Sequence, residues 1–207
     1  MNDAALEQSI LTACEVVRQG GLIAFPTDTV YGLAARVDDE IAIGRLFTAK
    51  GRDSMKAIAV LLADLVQLPL VAPPLNPVAQ RLAQRFLPGA LTLVVPRNPD
   101  LPAALSPYPT IGVRIPNHPV ALAILQSCGP LAVTSANLAG QADCLTAEQV
   151  RQSLGARVDW IVDGGATPDA NPSTVVDCTR LPVTILRAGP ISAAQIEETA
   201  GEYTQHG

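Results

Sequence analysis

The chain has 207 residues, a net charge of −5 and a sequence pI near 4.9. That balance excludes wrapping a nucleic-acid backbone, which requires phosphates to be neutralised over a broad basic face. With 48% hydrophobic and only 3% aromatic residues, the core must be built of Ala, Val, Leu and Ile, and 18 prolines enforce many loop boundaries.

No linker or low-complexity block divides the sequence, so one domain over 1–207 is expected, with 202–207 as a frayed tail. The N-terminus shows no basic stretch followed by an apolar one. No run approaches the roughly 18 apolar residues of a spanning helix. A cytoplasmic protein without membrane contact is the expectation.

In chain order, Leu6, Ile10, Cys14 and Val17 stand at helical spacing over 3–19, and Gly20-Gly21 stops that helix. Residues 22–25 read as a short strand broken by Pro26, and 26–32 as a hydroxyl-rich turn beyond the strand end. Ligands of open α/β sheets usually bind at such places. A second helix is predicted over 39–49, a strand over 57–62, and a helix starting at Asn76-Pro77, where a capping side chain precedes proline at the first helical position. Strands follow at 90–95 and 111–115, the latter carrying Arg114, which reads either as a salt-bridged edge residue or as facing a polar cleft. A helix over 119–126, a strand over 131–133 running into Thr134-Ser135-Ala136-Asn137, and a helix over 147–154 come next. Strands at 160–162, 174–176 and 183–187 and a helix over 193–200 complete the list. Thr146 with Gln149 and Ser192 with Gln195 match the capping-box pattern. Alternating strands and helices with hairpin-like spacings around 90–115 and 160–187 predict an α/β (α+β) fold on a mixed sheet.

Cys14, Cys128, Cys144 and Cys178 are far apart with no C-x-x-C pair, so four free buried thiols are expected. There is no P-loop and no dinucleotide fingerprint. The two histidines, His118 and His206, support neither a catalytic triad nor a metal centre, and no metal-ligand set is assigned. The sequence instead concentrates cations. Both of its lysines, Lys50 and Lys56, flank Arg52 within Thr48–Lys56, a loop that reads as an anion clamp or as a solvated basic turn. Lys50, Arg52, Arg114 and Arg187 fall within or beside predicted strand ends, as do the small polar residues Thr27, Thr29, Ser135, Asn137, Ser173 and Thr174. Cations and hydrogen-bond donors without a nucleophile suit phosphoryl or nucleotidyl transfer.

Seven ordered motifs carry a resemblance. They are Pro26-Thr27-Asp28-Thr29-Val30-Tyr31-Gly32-Leu33, Lys50-x-Arg52, Phe86-Leu87-Pro88-Gly89-Ala90-Leu91-Thr92-Leu93, Val113-Arg114-Ile115-Pro116, Ser135-x-Asn137, Ser173-Thr174-Val175-Val176-Asp177 and Leu186-Arg187-x-Gly189-Pro190. In this order they resemble the YrdC-like threonylcarbamoyl-AMP synthases. The resemblance implies a twisted mixed sheet curled round a concave, positively lined site. It also implies condensation of L-threonine, bicarbonate or CO2 and ATP, with Mg2+, to threonylcarbamoyl-AMP and pyrophosphate, towards N6-threonylcarbamoyladenosine (t6A) in tRNAs that read ANN codons. Length resembles the single-domain form, whose later transfer step uses separate proteins.

Residue by residue, Lys50 and Arg52 match the catalytic clamp and, with Ser135 and Asn137, the signature that holds nucleotide phosphates and carbamate. Thr29 and Tyr31 match the threonine-contacting loop. Arg114, Ser173 and Arg187 match positions lining the adenylate and amino-acid pocket. Asp53 and Ala57 depart from the family pattern, standing where prolines are usual, so the loop after Arg52 is expected to be less rigid. Two other readings compete: a related carbamoyl-adenylate former, as in hydrogenase maturation proteins, and a non-catalytic RNA-binding module. Low basicity and few aromatics oppose the second, and weak or no tRNA binding is expected.

Overall fold

The computed structural model describes residues 3–51, 57–168 and 171–201. The described elements in order are α1 (Asp3–Arg18), β1 (Ile23–Phe25), β2 (Gly32–Arg36), α2 (Glu40–Lys50), β3 (Ala59–Leu61), α3 (Pro77–Phe86), β4 (Leu91–Pro96), β5 (Thr110–Arg114), α4 (Pro119–Cys128), β6 (Leu131–Ser135), α5 (Ala147–Leu154), β7 (Trp160–Ile161), β8 (Thr174–Asp177), β9 (Thr184–Arg187) and α6 (Ala193–Ala200). Short 3-10 turns lie at Leu65–Leu70, Ala103–Leu105 and Gly155–Arg157.

Local chemistry sets the helix ends. Asp39 accepts from the Ala42 amide at the start of α2, Asn76 from the Ala79 amide at the start of α3, and Gly51 closes α2 with φ +57°, a conformation that suits glycine. Ser192 and Gln195 form the reciprocal capping box at α6. At α5 only half of the expected box is made. Thr146 accepts from the Gln149 amide, but the Gln149 side chain accepts from the Leu145 amide instead.

All described strands join one sheet in the order β7-β1-β2-β6-β3-β5-β4-β8-β9. The β1–β7, β3–β5 and β4–β8 pairs are parallel and the others antiparallel, so the sheet is mixed, as expected. Strand β2 was not anticipated. It pairs with both β1 and β6, and this lateral pairing outweighs the weak strand propensity of its small residues.

Side-chain alternation divides the sheet into two faces. Leu33, Ala35, Val60, Leu91, Leu93, Val95, Ile111, Val113, Ala132 and Val176 point to one side. There they form the larger core with α2, α3, α5 and α6. Each fully buried Leu or Ile in it contributes about 2 kcal/mol. On the other side Ile23, Phe25, Ala34, Leu131 and Val133, with Leu61 at the end of β3, pack under α1 and α4, covering the β1–β2–β6 end of the sheet. The remainder of that face carries Gly32, Ala59, Thr92, Val94, Gly112, Arg114 and Val175, and a cavity opens over it. The site is therefore the uncovered half of a sheet whose opposite face is fully packed.

The cysteine expectation is corrected in part. Cys144 and Cys178 are free and buried, but Cys14 of α1 and Cys128 of α4 form a disulfide, their Cα atoms 5.5 Å apart. The two helices lie side by side on the partly covered face, which brings residues 114 positions apart into bonding distance. Among the described residues no helix is long and apolar enough to cross a membrane.

Candidate functional site

The cavity has a volume of about 430 Å³. Its floor is built from small residues on adjacent strands. A Cβ added at Gly112 would come within 2.9 Å of Thr92 Cγ2, and one at Gly32 within 2.7 Å of Val133 Cγ1. Larger residues at either position would fill the space a ligand needs.

Lys50 does not sit in a solvated loop. It is the last residue of α2, 3% exposed, with Nζ 2.5 Å from the Ser135 carbonyl oxygen, 2.8 Å from the Asn137 carbonyl oxygen and 3.0 Å from Asn137 Oδ1. Ser135 Oγ lies 3.4 Å away and donates to Asn137 Oδ1 at 2.6 Å, while Asn137 Nδ2 donates to the Gln141 carbonyl. The Ala139 amide returns to the Lys50 carbonyl. Three of the four residues of the matched signature thus form one hydrogen-bonded unit, and Ser135 lines the cavity. Arg52 and Asp53 lie outside the described residues, whereas Ala57 lines the cavity.

Arg114 faces the cleft; its strand is central in the sheet, not an edge. Arg114 is 6% exposed, and each of its three guanidinium nitrogens makes a hydrogen bond: Nη2 donates to Asp28 Oδ1 at 2.6 Å, Nη1 to Thr29 Oγ1 at 3.0 Å, and Nε to the Gly89 carbonyl at 3.0 Å. Burial lowers its pKa, opposed by Asp28 and reinforced by the positive charge of Arg187. Two like charges sharing one cavity make it attractive to anions. Thr27 braces the loop that carries Asp28 and Thr29. Its Oγ1 donates to the Val30 carbonyl and accepts from the Thr29 and Val30 amides.

At the far side Arg187 donates through Nε to the Ser173 carbonyl and through Nη2 to Ser173 Oγ, which lies 2.7 Å from Thr92 Oγ1. Burial lowers the Arg187 pKa, and the carboxylate of Asp143 opposes that shift. Ser173, Arg187 and Thr29 all line the cavity.

Tyr31 is not brought there. Its ring belongs to the larger core, its hydroxyl donates to the Gly165 carbonyl at 2.7 Å, and burial pushes its pKa up to about 12. Of the two residues matched to a threonine loop, Thr29 faces the cavity and Tyr31 shapes the loop from behind. Sequence reasoning missed Asp28 as the counter-ion of Arg114, Thr92 as the partner of Ser173, and Asp143 as a lining carboxylate. The hydroxyl-rich turn around Asp28 was a usable signal, as was the place of Thr92 in the Phe86–Leu93 motif, and nothing marked Asp143.

A mixed sheet with one face packed by helices and the other opening into a cavity lined by arginines and hydroxyls is the architecture of a nucleotide- or anion-handling α/β protein. The Sua5_yciO_yrdC family model, described as Telomere recombination, matches residues 15–189. The chain belongs to this family. It is 38% identical over 202 residues to the threonylcarbamoyl-AMP synthase of Pyrococcus abyssi, covering 97% of this chain and 59% of that protein. It is 41% identical over 201 residues to that of Bacillus subtilis, covering 94% and 57%. The chain therefore spans somewhat under three fifths of these two relatives. The crystal structure of P. abyssi Sua5 complexed with L-threonine superposes with a TM-score of 0.91 at 38% identity, over 95% of this chain and 58% of that one.

Proposed function

We propose that this chain is a threonylcarbamoyl-AMP synthase. It would condense L-threonine, bicarbonate or CO2 and ATP to threonylcarbamoyl-AMP and pyrophosphate, feeding t6A formation in ANN-reading tRNAs. The observation that carries the reading is the Lys50–Ser135–Asn137 unit set beside a cavity that also presents Arg114, Arg187, Thr29 and Ser173. The names of the relatives agree with it.

In this reading the threonine amine, once deprotonated, adds to CO2 as a carbamate. A carbamate oxygen then attacks the α-phosphorus of ATP, and the bond to pyrophosphate breaks. No protein nucleophile is needed, so the work is positioning and charge stabilisation. Lys50 acts as a fixed buried charge beneath the 135–141 loop, and the Ser135 hydroxyl rotates from Asn137 to donate to a substrate oxygen. Arg52 is assigned to the leaving phosphates by its motif. Arg114 and Thr29 serve the amino-acid side, and Ser173 and Arg187 the adenylate side.

Mg2+ arrives with the ATP phosphates. It would be held mainly by the substrate oxygens. Residues 1–207 are taken as one functional unit in the cytoplasm, where ATP and tRNA are found. The adenylate passes to separate transferase proteins, with little direct tRNA binding given the net charge of −5. The test is pyrophosphate release with ATP and bicarbonate in the presence of each amino acid in turn. Release that depends on threonine is expected, and release indifferent to the amino acid contradicts the assignment.

A further inference from the structure

The Cys14–Cys128 disulfide joins two sulfurs in unequal surroundings. Cys14 lies inside α1 and is 1% exposed, between Ala13 and Val17 of the core under that helix. Cys128 is the last residue of α4 and is only partly buried against the same core. Gln126 and Ser127 before it are exposed, and a Cβ built on Gly129 after it would meet nothing within 4 Å. One end of the bond is sealed inside the fold, and the other stands at a helix end that opens to solvent. Cys144 and Cys178 are both buried, so of the four cysteines Cys128 alone reaches the surface.

Thiol–disulfide exchange needs a thiolate to reach one sulfur while the other leaves, so access decides which sulfur is attacked. A small-molecule thiolate that reaches Cys128 Sγ bonds to it, the bond to Cys14 Sγ breaks, and Cys14 departs as a thiolate that takes up a proton. A second small thiol then removes the first from Cys128 as a disulfide, and two electrons have passed from two thiols to the protein. Closure runs the same steps in reverse. The Cys128 thiolate attacks an oxidised small-molecule disulfide and releases one thiolate, and the Cys14 thiolate then displaces the other from Cys128. Attack at Cys14 requires α1 to open from the fold first.

We propose that Cys128 is a thiol-modification site at which a low-molecular-weight thiol or its disulfide opens and closes the link between α1 and α4, with Cys14 as the resolving cysteine. The site sets how long the two helices stay tied and does not touch the chemistry of the cavity, because no residue of either helix lines it. It stands independently of the function proposed above.

The experiment incubates the reduced protein with oxidised glutathione for increasing times, stops exchange with acid and locates the adducts by mass spectrometry of peptides. In the wild type the first mixed disulfide is expected on Cys128, followed by its conversion to the Cys14–Cys128 bond. In Cys14→Ser the Cys128 adduct accumulates, because nothing resolves it. In Cys128→Ser the adduct on Cys14 forms at least about tenfold more slowly than that, since Cys14 reacts only through local opening. The buried Cys144 and Cys178 monitor the fold and stay unmodified in an intact protein. Should a variant expose them, the wild-type time course decides, because no substitution disturbs it. Glutathione found first on Cys14 in the wild type overturns the proposal, as do equal rates in the two variants with Cys144 and Cys178 protected. In urea Cys14 and Cys128 are expected to react alike, and a preference for Cys128 that persists there also overturns it, since such a preference owes nothing to the fold.

Discussion

Arg114 Nη2 lies 2.6 Å from Asp28 Oδ1, and the two side chains are only 8% and 14% exposed. The pair joins the central strand β5 to the loop after β1. Asp28 compensates a guanidinium that burial otherwise penalises. Breaking such a pair from one side leaves a buried charge uncompensated.

Asp28→Ala is therefore expected to lose about 3 to 5 kcal/mol of stability in urea unfolding. The double variant Asp28→Leu with Arg114→Met should be less destabilised than Asp28→Ala, although it abolishes activity. A single variant with wild-type stability would show that Thr29 and the Gly89 carbonyl suffice to hold Arg114.

Lys50→Ala is expected to lower threonine-dependent pyrophosphate release by more than about 100-fold. It should also lose about 1 to 3 kcal/mol of stability, because the Ser135 and Asn137 carbonyl oxygens would lose the ammonium that donates to them. A lysine in a solvated loop would give the first effect without the second, so thermal melting of the variant decides between the two placements.

These contacts show where the sequence was legible. Regular elements with strong signals, such as the Asn76-Pro77 helix start and the apolar run of β4, were found near their observed bounds. Strand β2 was missed because Gly32–Arg36 has no β-branched residue and owes its conformation to its neighbours on both sides. Arg114 was singled out, but its partner Asp28 stands 86 positions away, and Lys50 was placed in a loop because Ser135 and Asn137 are 85 and 87 positions away. The Cys14–Cys128 bond has the same origin in tertiary packing. Motif resemblance named residues, and only the fold shows which of them touch: Thr29, Arg114, Ser135, Ser173 and Arg187 line the cavity, Lys50 and Asn137 are bonded to Ser135 beside it, and Tyr31 belongs to the core.

Reduction of the Cys14–Cys128 disulfide is expected to lower stability by about 2 to 4 kcal/mol, chiefly by freeing a long loop in the unfolded chain. Activity of the folded protein should be unchanged, because no residue of α1 or α4 lines the cavity. Urea midpoints with and without reductant measure the first effect, and pyrophosphate release measures the second. Equal midpoints would mean that packing of α1 on α4 needs no covalent link.

The raised Tyr31 pKa makes stability fall in alkali. The folded protein holds the phenol proton to about pH 12, whereas the unfolded chain releases it near 10. The contribution is complete below pH 10 and is lost as pH rises towards 12. Between pH 9 and 11 the wild type should lose about 1 to 2 kcal/mol more than Tyr31→Phe. Cys178, whose burial pushes its thiol up to about 12, adds a similar loss to both proteins and cancels in the comparison.

The central claim is that the cavity joins an amino-acid carbamate to the α-phosphate of ATP. The most direct measurement is mass spectrometry of the nucleotide products formed from ATP, L-threonine and carbon-13 bicarbonate. The account predicts an AMP adduct that carries both threonine and one labelled carbon, formed in equal amount with pyrophosphate and abolished in Lys50→Ala. Pyrophosphate accompanied by an unlabelled threonyl adenylate, or by AMP without any adduct from the start of the reaction, would contradict it.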